Sequence, residues 1–570
     1  KRQNNNDWVI SGNSIYSTVS RTLTGGSANR NWCGIGIAPS GSASSSNGNQ
    51  ILNNYIGGTA ANCGGSALTL TNSGSGTLLL RPIILEVGTT TPTSVQGNTI
   101  QNISIETSST SVLQSLISAV TGSINIGTVT GNILGSNTGT GSIQFTQNTA
   151  STAPRFAAIN AGSGTPGVIN ISNNQIGSIT VTNSSTGTVE LAGIYTAGAA
   201  SAYTISDNII GSTSTANSML NNEADDTWGI FLGSTAAGTN NISGNTIANL
   251  TGTTSRMLCI RADGGTLNIS NNTIRNCATQ GTTETSLIGV YVTSTLGNHT
   301  ISGNTIHSLN NTNGSGAVIS HGIYFTGAVT NSSVIERNNI HSFGVSSSNT
   351  GSLVYGIRVL SGAFPVSIQN NMVRLGYNPN GSNQATGYGI FGIHNASTAT
   401  TSHYFNSVFI GGSVTGTTSS TAALFSSSTS TRIFQNNVLV NARSGGSTGK
   451  HYAIQMGGTG VSPAGLTSNY NLLQASGSNS ALALYNAVDR AGLSDWTTAS
   501  GMDINSVTCD PNFVNATGDV ASVDLHITSG SSPIEGSGIA VSGVTTDFDG
   551  NMRATNSPVD MGADAGNFTS

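Results

Sequence analysis

The chain has 570 residues, only 7% of them charged and 74 of them glycine, with a formal net charge of −5. So small a charge, with no Lys/Arg run, excludes a nucleic-acid partner, and the lack of 18 consecutive apolar residues excludes a membrane-spanning helix. Sparse charge with abundant glycine would suit a disordered chain, but aliphatic residues recur here at fixed register and supply a core.

The chain opens at Lys1-Arg2-Gln3 without a signal peptide and enters a repeat almost at once, as a processed or excerpted chain would. The repeat is an I-S-x-N-x-I cassette, first as Ile10-Ser11-Gly12-Asn13-Ser14-Ile15 and then as Ile51 to Ile56. Later copies run from Ile171, Ile205, Ile242, Ile269, Ile301, Ile335 and Ile368. From Asn208 the equivalent asparagines are Asn245, Asn272, Asn304, Asn338, Asn371, Asn406, Asn436 and Asn471, spaced by 37, 27, 32, 34, 33, 35, 30 and 35 residues. Such a period marks a solenoid, propeller or array whose units bury their apolar sides only against neighbours.

About a dozen residues before each later cassette stands a second signature: Gly193-Ile194-Tyr195, Gly229-Ile230-Phe231, Cys259-Ile260-Arg261, Gly289-Val290-Tyr291, Gly322-Ile323-Tyr324, Gly356-Ile357-Arg358 and Gly389-Ile390-Phe391. Ala423-Leu424-Phe425 and Ala453-Ile454-Gln455 are weaker copies. Residues around it alternate with the period of a strand. Leu482 to Leu493 is the one stretch with a helical period. Two or three short strands per unit, with Gly/Ser/Thr/Asn turns and no helices between, predict an all-β, right-handed parallel β-helix solenoid of about 14–15 coils with a C-terminal capping region. A propeller blade needs about 40–45 residues and four strands, more than these units offer. Residues 1–475 form the repeats, and 476–570 the last coils and cap. The asparagine is expected to take the left-handed bend between strands and to stack its amide on the next coil.

Five cysteines lack a metal-ligand spacing. Cys33 with Cys63 and Cys259 with Cys277 can be read as disulfides between neighbouring coils or as buried thiols.

After residue 475 the register changes. The chain reads Asp503-Ile504-Asn505-Ser506, Asp510-Pro511-Asn512-Phe513, Leu525-His526-Ile527, Ser532-Pro533, Asp547-Phe548-Asp549-Gly550-Asn551-Met552-Arg553 and Asp560-Met561-Gly562-Ala563. This succession resembles the C-terminal end of secreted bacterial proteins of the right-handed parallel β-helix (pectin-lyase-like) superfamily. The resemblance implies an exported protein, secreted or held at a bacterial cell surface, whose terminal segment covers the last coil's open edge. Asp547, Asp549, Asp560 and Asp564 are read as turn and cap acids, with calcium as the other reading; no further cofactor or metal is expected.

Superfamily enzymes act on polysaccharides through clustered Asp with Lys or Arg on an outward strand face. The one acidic knot, Glu223-Ala224-Asp225-Asp226, reads as a solvated turn, so no catalytic residue is assigned. Two outward columns follow from the register instead. Arg261, Tyr291, Tyr324, Arg358 and Phe391, with Tyr195, Phe231 and Phe425, form an aromatic–arginine ladder, and Arg275, His307, His341 and Arg374 form a basic stripe. Ring faces suit sugars or a neighbouring solenoid, and Arg with His suits carboxylates. The expected function is a non-catalytic, extracellular structural or adhesive β-helix binding a polysaccharide, a cell-surface component or copies of itself. The alternative is a polysaccharide lyase or glycoside hydrolase working along the outward face.

Overall fold

The computed structural model describes residues 6–568 apart from 24–29, 38–45, 73–77, 109–112, 151–153, 163–166, 199, 201, 234–237, 255, 328–330, 361, 363, 417, 458–462, 529 and 557. The opening Lys1-Arg2-Gln3 therefore lies outside the described residues. The chain is a right-handed-type parallel β-solenoid, and it divides into two compact units, Lys1–Asn268 with Asn272–Gly281, and Ile269–Asn271 with Thr282–Ser570.

In both units each coil visits three parallel sheets in turn, as in Leu287–Val292, His299–Ser302 and Thr305–Asn311 of the second. We number these sheets 3, 1 and 2. Identical positions stack in register. In the first unit sheet 1 piles Ile10, Ile51, Val95, Ile126, Ile171, Ile205 and Ile242. Sheet 3 of that unit piles Ile159, Ile194, Ile230 and Ile260, and that of the second piles Val290, Ile323, Ile357, Ile393, Leu424 and Ile454. Most of these side chains are fully buried, each contributing about 1.5–3 kcal/mol by leaving water.

The cassette's first isoleucine closes sheet 1, its last opens the core of sheet 2, and the asparagine turns the corner between them. The left-handed bend and the amide ladder fall on consecutive residues, not on one. Gly12, Asn53, Gly97, Asn173, Asp207, Gly244, Asn271, Gly303, Arg337, Asn370, Phe405, Asn436 and Tyr470 carry the positive φ. The next residue is the ladder amide: its Nδ2 and backbone N–H both donate to the Oδ1 of the asparagine one coil on. The ladder runs Asn13, 54, 98, 132, 174, 208, 245 and 272 in the first unit. In the second it runs Asn304, 338, 371, 406, 437 and 471. Asn437 thus replaces the expected Asn436, which holds the bend instead (φ 59°).

The last ladder amide donates to a carboxylate. Asn471 Nδ2 lies 2.9 Å from Asp503 Oδ1, which also accepts Ser506 Oγ at 2.6 Å, while Asp503 Oδ2 accepts Trp496 Nε1 at 2.8 Å. The buried Trp496 stands on the helix Leu493–Ser500 and meets Tyr485 edge-on, so this helix closes the last coil. The expected helical stretch is displaced: Ser480–Tyr485 and Val488–Arg490 are strands, because Leu482 and its neighbours continue sheet 3.

Val507 pairs in parallel with Leu472 and covers the edge of the last sheet-2 strand, and the residues beyond it continue away from that end. They lie along the outer side of sheet 2, where Leu525, Ile527, Ile534, Met561 and Ala563 pack on Met372, Phe409, Val438, Val440 and Leu472. Those outward sheet-2 positions are apolar for this reason. Asp547, Asp560 and Asp564 are buried and cap backbone N–H groups of Asn551, Gly536 with Gly566, and Ile527, respectively.

Candidate functional site

The outward face of sheet 3 holds the ladder of rings and arginines, and a glycine makes it. In each coil the pairing register skips the signature glycine: Ile288 pairs with His321 and Val290 with Ile323, for example. An added Cβ at Gly229 would sit 2.8 Å from Ile247 Cγ2, and at Gly322 2.6 Å from Ile340 Cγ2. At these glycines the backbone presses on the core isoleucine of sheet 2 and leaves little room for a side chain, while Cys259, Ala423 and Ala453 hold the same position in other coils with the same register. The kink turns the residues before the glycine and two after it to the same outer face, so each coil presents two columns.

In the first unit these columns bring Trp228 and Phe231 within 5.1 Å, stack Tyr195 on Phe231 at 4.9 Å, and place Arg155 4.0 Å over Tyr195. Arg155 pairs with Glu190; burial pushes the Glu190 carboxyl up while the guanidinium opposes it. Arg261 sits 5.1 Å over Phe231 and 2.8 Å from Asp263. Of the acidic knot, Asp226 is buried and paired with Arg256, and Asp225 accepts Thr188 Oγ1 at 2.8 Å. The knot is a paired and hydrogen-bonded corner, not a solvated turn.

In the second unit Tyr291 stacks on Tyr324 at 5.2 Å, Tyr324 on the fully buried His321 at 4.5 Å, and His321 on Tyr355 at 5.0 Å. Arg358 lies over Tyr324 and Tyr355, at 5.1 and 4.9 Å, and donates to Glu284 at 2.9 Å. Burial holds His321 well below its usual range, reinforced by the Arg358 charge, and lowers His394 to about 3.

Phe391 belongs to the other column. It pairs with Tyr355, and His394 takes the place beside Arg358. Gly389-Ile390-Phe391-Gly392-Ile393-His394 contains the signature twice, and the second copy is the one in register. The residues that the sequence reading missed, Trp228, His321 and Tyr355, stand immediately before the signature glycine; that position was the available signal. Because the rings stack face to face, Tyr324, Tyr355, Phe391 and His394 are buried, and Tyr195, Phe231, Tyr291 and Phe425 remain half-buried at the surface.

The basic stripe does not form one surface. Arg275, in the first unit, donates to the Thr213 carbonyl at 2.9 Å. In the second, His307 stacks on His341 at 5.1 Å, but His341 and Arg374 are buried under the C-terminal segment. Arg374 donates to the Ala516 carbonyl at 3.0 Å, to that of Gly518, and to Ser342 Oγ at 3.0 Å, so it fastens the segment to sheet 2. The short sequence spacing of this stripe held no sign of a covering segment some 140 residues on.

All five cysteines are thiols; Cys259 takes the glycine position of its coil and adjoins Cys277, both fully buried, whereas Cys33 is exposed and Cys63 buried. No family model, curated protein or solved structure matches the chain.

Proposed function

We propose that this is a non-catalytic, extracellular structural or adhesive β-helix protein of the pectin-lyase-like kind, which holds a polysaccharide or a cell-surface component along the outer face of sheet 3. The observation that carries the reading is the state of the charges on that face. Arg155 with Glu190, Arg261 with Asp263 and Arg358 with Glu284 are already paired, beside rings stacked on one another. A carboxylate held in such a pair is a poor proton donor or nucleophile, whereas ring edges beside paired charges, present in each unit by itself, suit contact without chemistry. The half-buried Tyr195, Phe231 and Tyr291 supply apolar contact, and Arg261 and Arg358 supply donors.

The rival enzyme reading draws on Glu190, whose buried carboxyl is pushed up beside Arg155 and Tyr195. One experiment separates the two. The purified chain is incubated with pectin, alginate and glycosaminoglycans, following retention on immobilised glycan together with new unsaturated and reducing ends. Retention without new ends, weakened in Tyr291→Ala and Arg261→Ala, is the expected result. New ends that disappear in Glu190→Gln would replace this reading with the enzyme, and neither retention nor new ends would remove both.

A further inference from the structure

We propose that His526, Asp549 and Asp564, in the C-terminal segment, form a binding site for one divalent transition cation, with zinc as its probe. Three separate stretches bring them together: the strand Asp524–Ile527, the turn after Asp547, and the loop after Ala563. Each offers one ligand atom, and these atoms all lie within 4.8 Å of one another.

Two features outside that trio set its chemistry. Asp524 Oδ1 lies 2.5 Å from His526 Nδ1, which orients the ring and turns Nε2 toward Asp549, 3.1 Å from its Oδ2. A carboxylate behind the ring is the support that metal-bound histidines ordinarily have, since it fixes the tautomer and strengthens the nitrogen as a ligand. Beside His526 and Asp524 there is also a cavity of about 180 Å³, walled on the solenoid side by Asn339, His341 and Arg374. An ion with three protein ligands keeps a further position for water, and the exposed Asp549 leaves that position open to solvent, while the cavity lies on the Asp524 side of the ring.

The remaining environment suits entry and retention. Asp564 is held in place by accepting the Ile527 N–H at 2.8 Å, while Asp549 is 46% exposed and gives the ion an approach. Three carboxylates surround one imidazole, an excess of negative charge that a divalent ion relieves. One nitrogen and two carboxylates match zinc better than calcium, which takes six to eight oxygens; Asp547 and Asp560 each commit both oxygens to backbone N–H groups, whereas Asp564 accepts the Ile527 N–H through Oδ2 alone.

The test is calorimetric titration of the chelator-stripped full chain with zinc chloride, repeated with calcium chloride, alongside His526→Gln, Asp549→Asn and Asp524→Asn. Far-UV circular dichroism checks that each variant is folded; Asp549→Asn, at a half-exposed position, is the variant least able to disturb packing. One equivalent of zinc is expected, lost or weakened at least tenfold in His526→Gln and Asp549→Asn. Asp524→Asn should weaken it by about 10–100-fold, as loss of a supporting carboxylate does. Cobalt bound in zinc's place should show visible absorption that zinc abolishes. No zinc uptake, uptake unchanged in Asp549→Asn, or calcium binding as tightly as zinc would each overturn the proposal.

Discussion

Replacing Asn371 by alanine should cost this protein far more than an ordinary surface asparagine would. Asn371 Nδ2 donates to the Ile335 carbonyl and to Asn406 Oδ1, both at 2.9 Å, and its Oδ1 accepts the Asn338 N–H at 3.1 Å and Asn338 Nδ2 at 2.9 Å. The substitution strands a carbonyl and two donors in a fully buried corner. At about 1–3 kcal/mol for each unsatisfied buried group, the loss is about 3 kcal/mol or more. Asn406 Oδ1 still receives the backbone N–H of residue 371, which limits it. A stack of coils need not unfold in one step, so the local readout matters most. Urea denaturation gives the total, and hydrogen exchange should show faster exchange at Asn338, whose N–H loses its acceptor. A change under 1 kcal/mol with unaltered exchange at Asn338 would refute the view that the ladder holds the coils together.

Gly322→Ala drives a Cβ to 2.6 Å from both Ile340 Cγ2 and the Gly356 carbonyl, so thermal denaturation should show a loss of about 1–3 kcal/mol, while Gly314→Ala, with nothing near its Cβ, should be neutral. His403→Leu should stabilise the fold by about 1–3 kcal/mol at neutral pH, because neither ring nitrogen of this fully buried histidine has a partner. The pH dependence follows from burial lowering its pKa from 6.5 to about 3. Above 6.5 both states are neutral and the folded form keeps its full stability; as pH falls from 6.5 towards 3 the unfolded chain takes up a proton that the folded one refuses, and stability drops. The gap between wild type and His403→Leu should therefore widen across that window in urea titrations. Asp503→Ala leaves Trp496 Nε1 without its acceptor and removes one of the three acceptors of Asn471 Nδ2, which keeps the Phe434 carbonyl and Ser468 Oγ, and exchange at Leu472 and Leu473 should quicken while that of the first unit stays unchanged.

Much of the fold was legible because a solenoid repeats its physics at each coil. One isoleucine position in each sheet, one bend and one amide recur, and the spacing of Asn304, Asn338 and Asn371 exposes all three. Legibility failed where the sequence repeats within itself. Asn436-Asn437 offers two amides, and only the register decides that the first bends and the second stacks. Gly389-Ile390 and Gly392-Ile393 offer two signatures, and Gly392, where an added Cβ would collide with Val408 Cγ1, is the one in use. The outer face was harder. The kink at the glycine brings His321 and Tyr355 to the side of Tyr324, which strict alternation would deny. Contacts far apart in sequence were not legible at all: nothing around Arg374 announces the carbonyls of Ala516 and Gly518. The Asp503-Ile504-Asn505-Ser506 motif was visible, but its task of ending the amide ladder needed the coordinates.

The most direct test of the in-register stack is oxidative cross-linking of paired cysteines on the outer side of sheet 2. Thr146 and Thr182 are directly paired, their hydroxyls 3.2 Å apart, whereas Thr180 pairs with Gln144. Neighbouring strands lie about 4.8 Å apart, within the span of a disulfide. Thr146→Cys with Thr182→Cys should cross-link readily, mapped by mass spectrometry of the digest, and Thr146→Cys with Thr180→Cys should not. Cross-linking of the second pair and not the first would contradict the register on which the corner ladder and both outer columns depend.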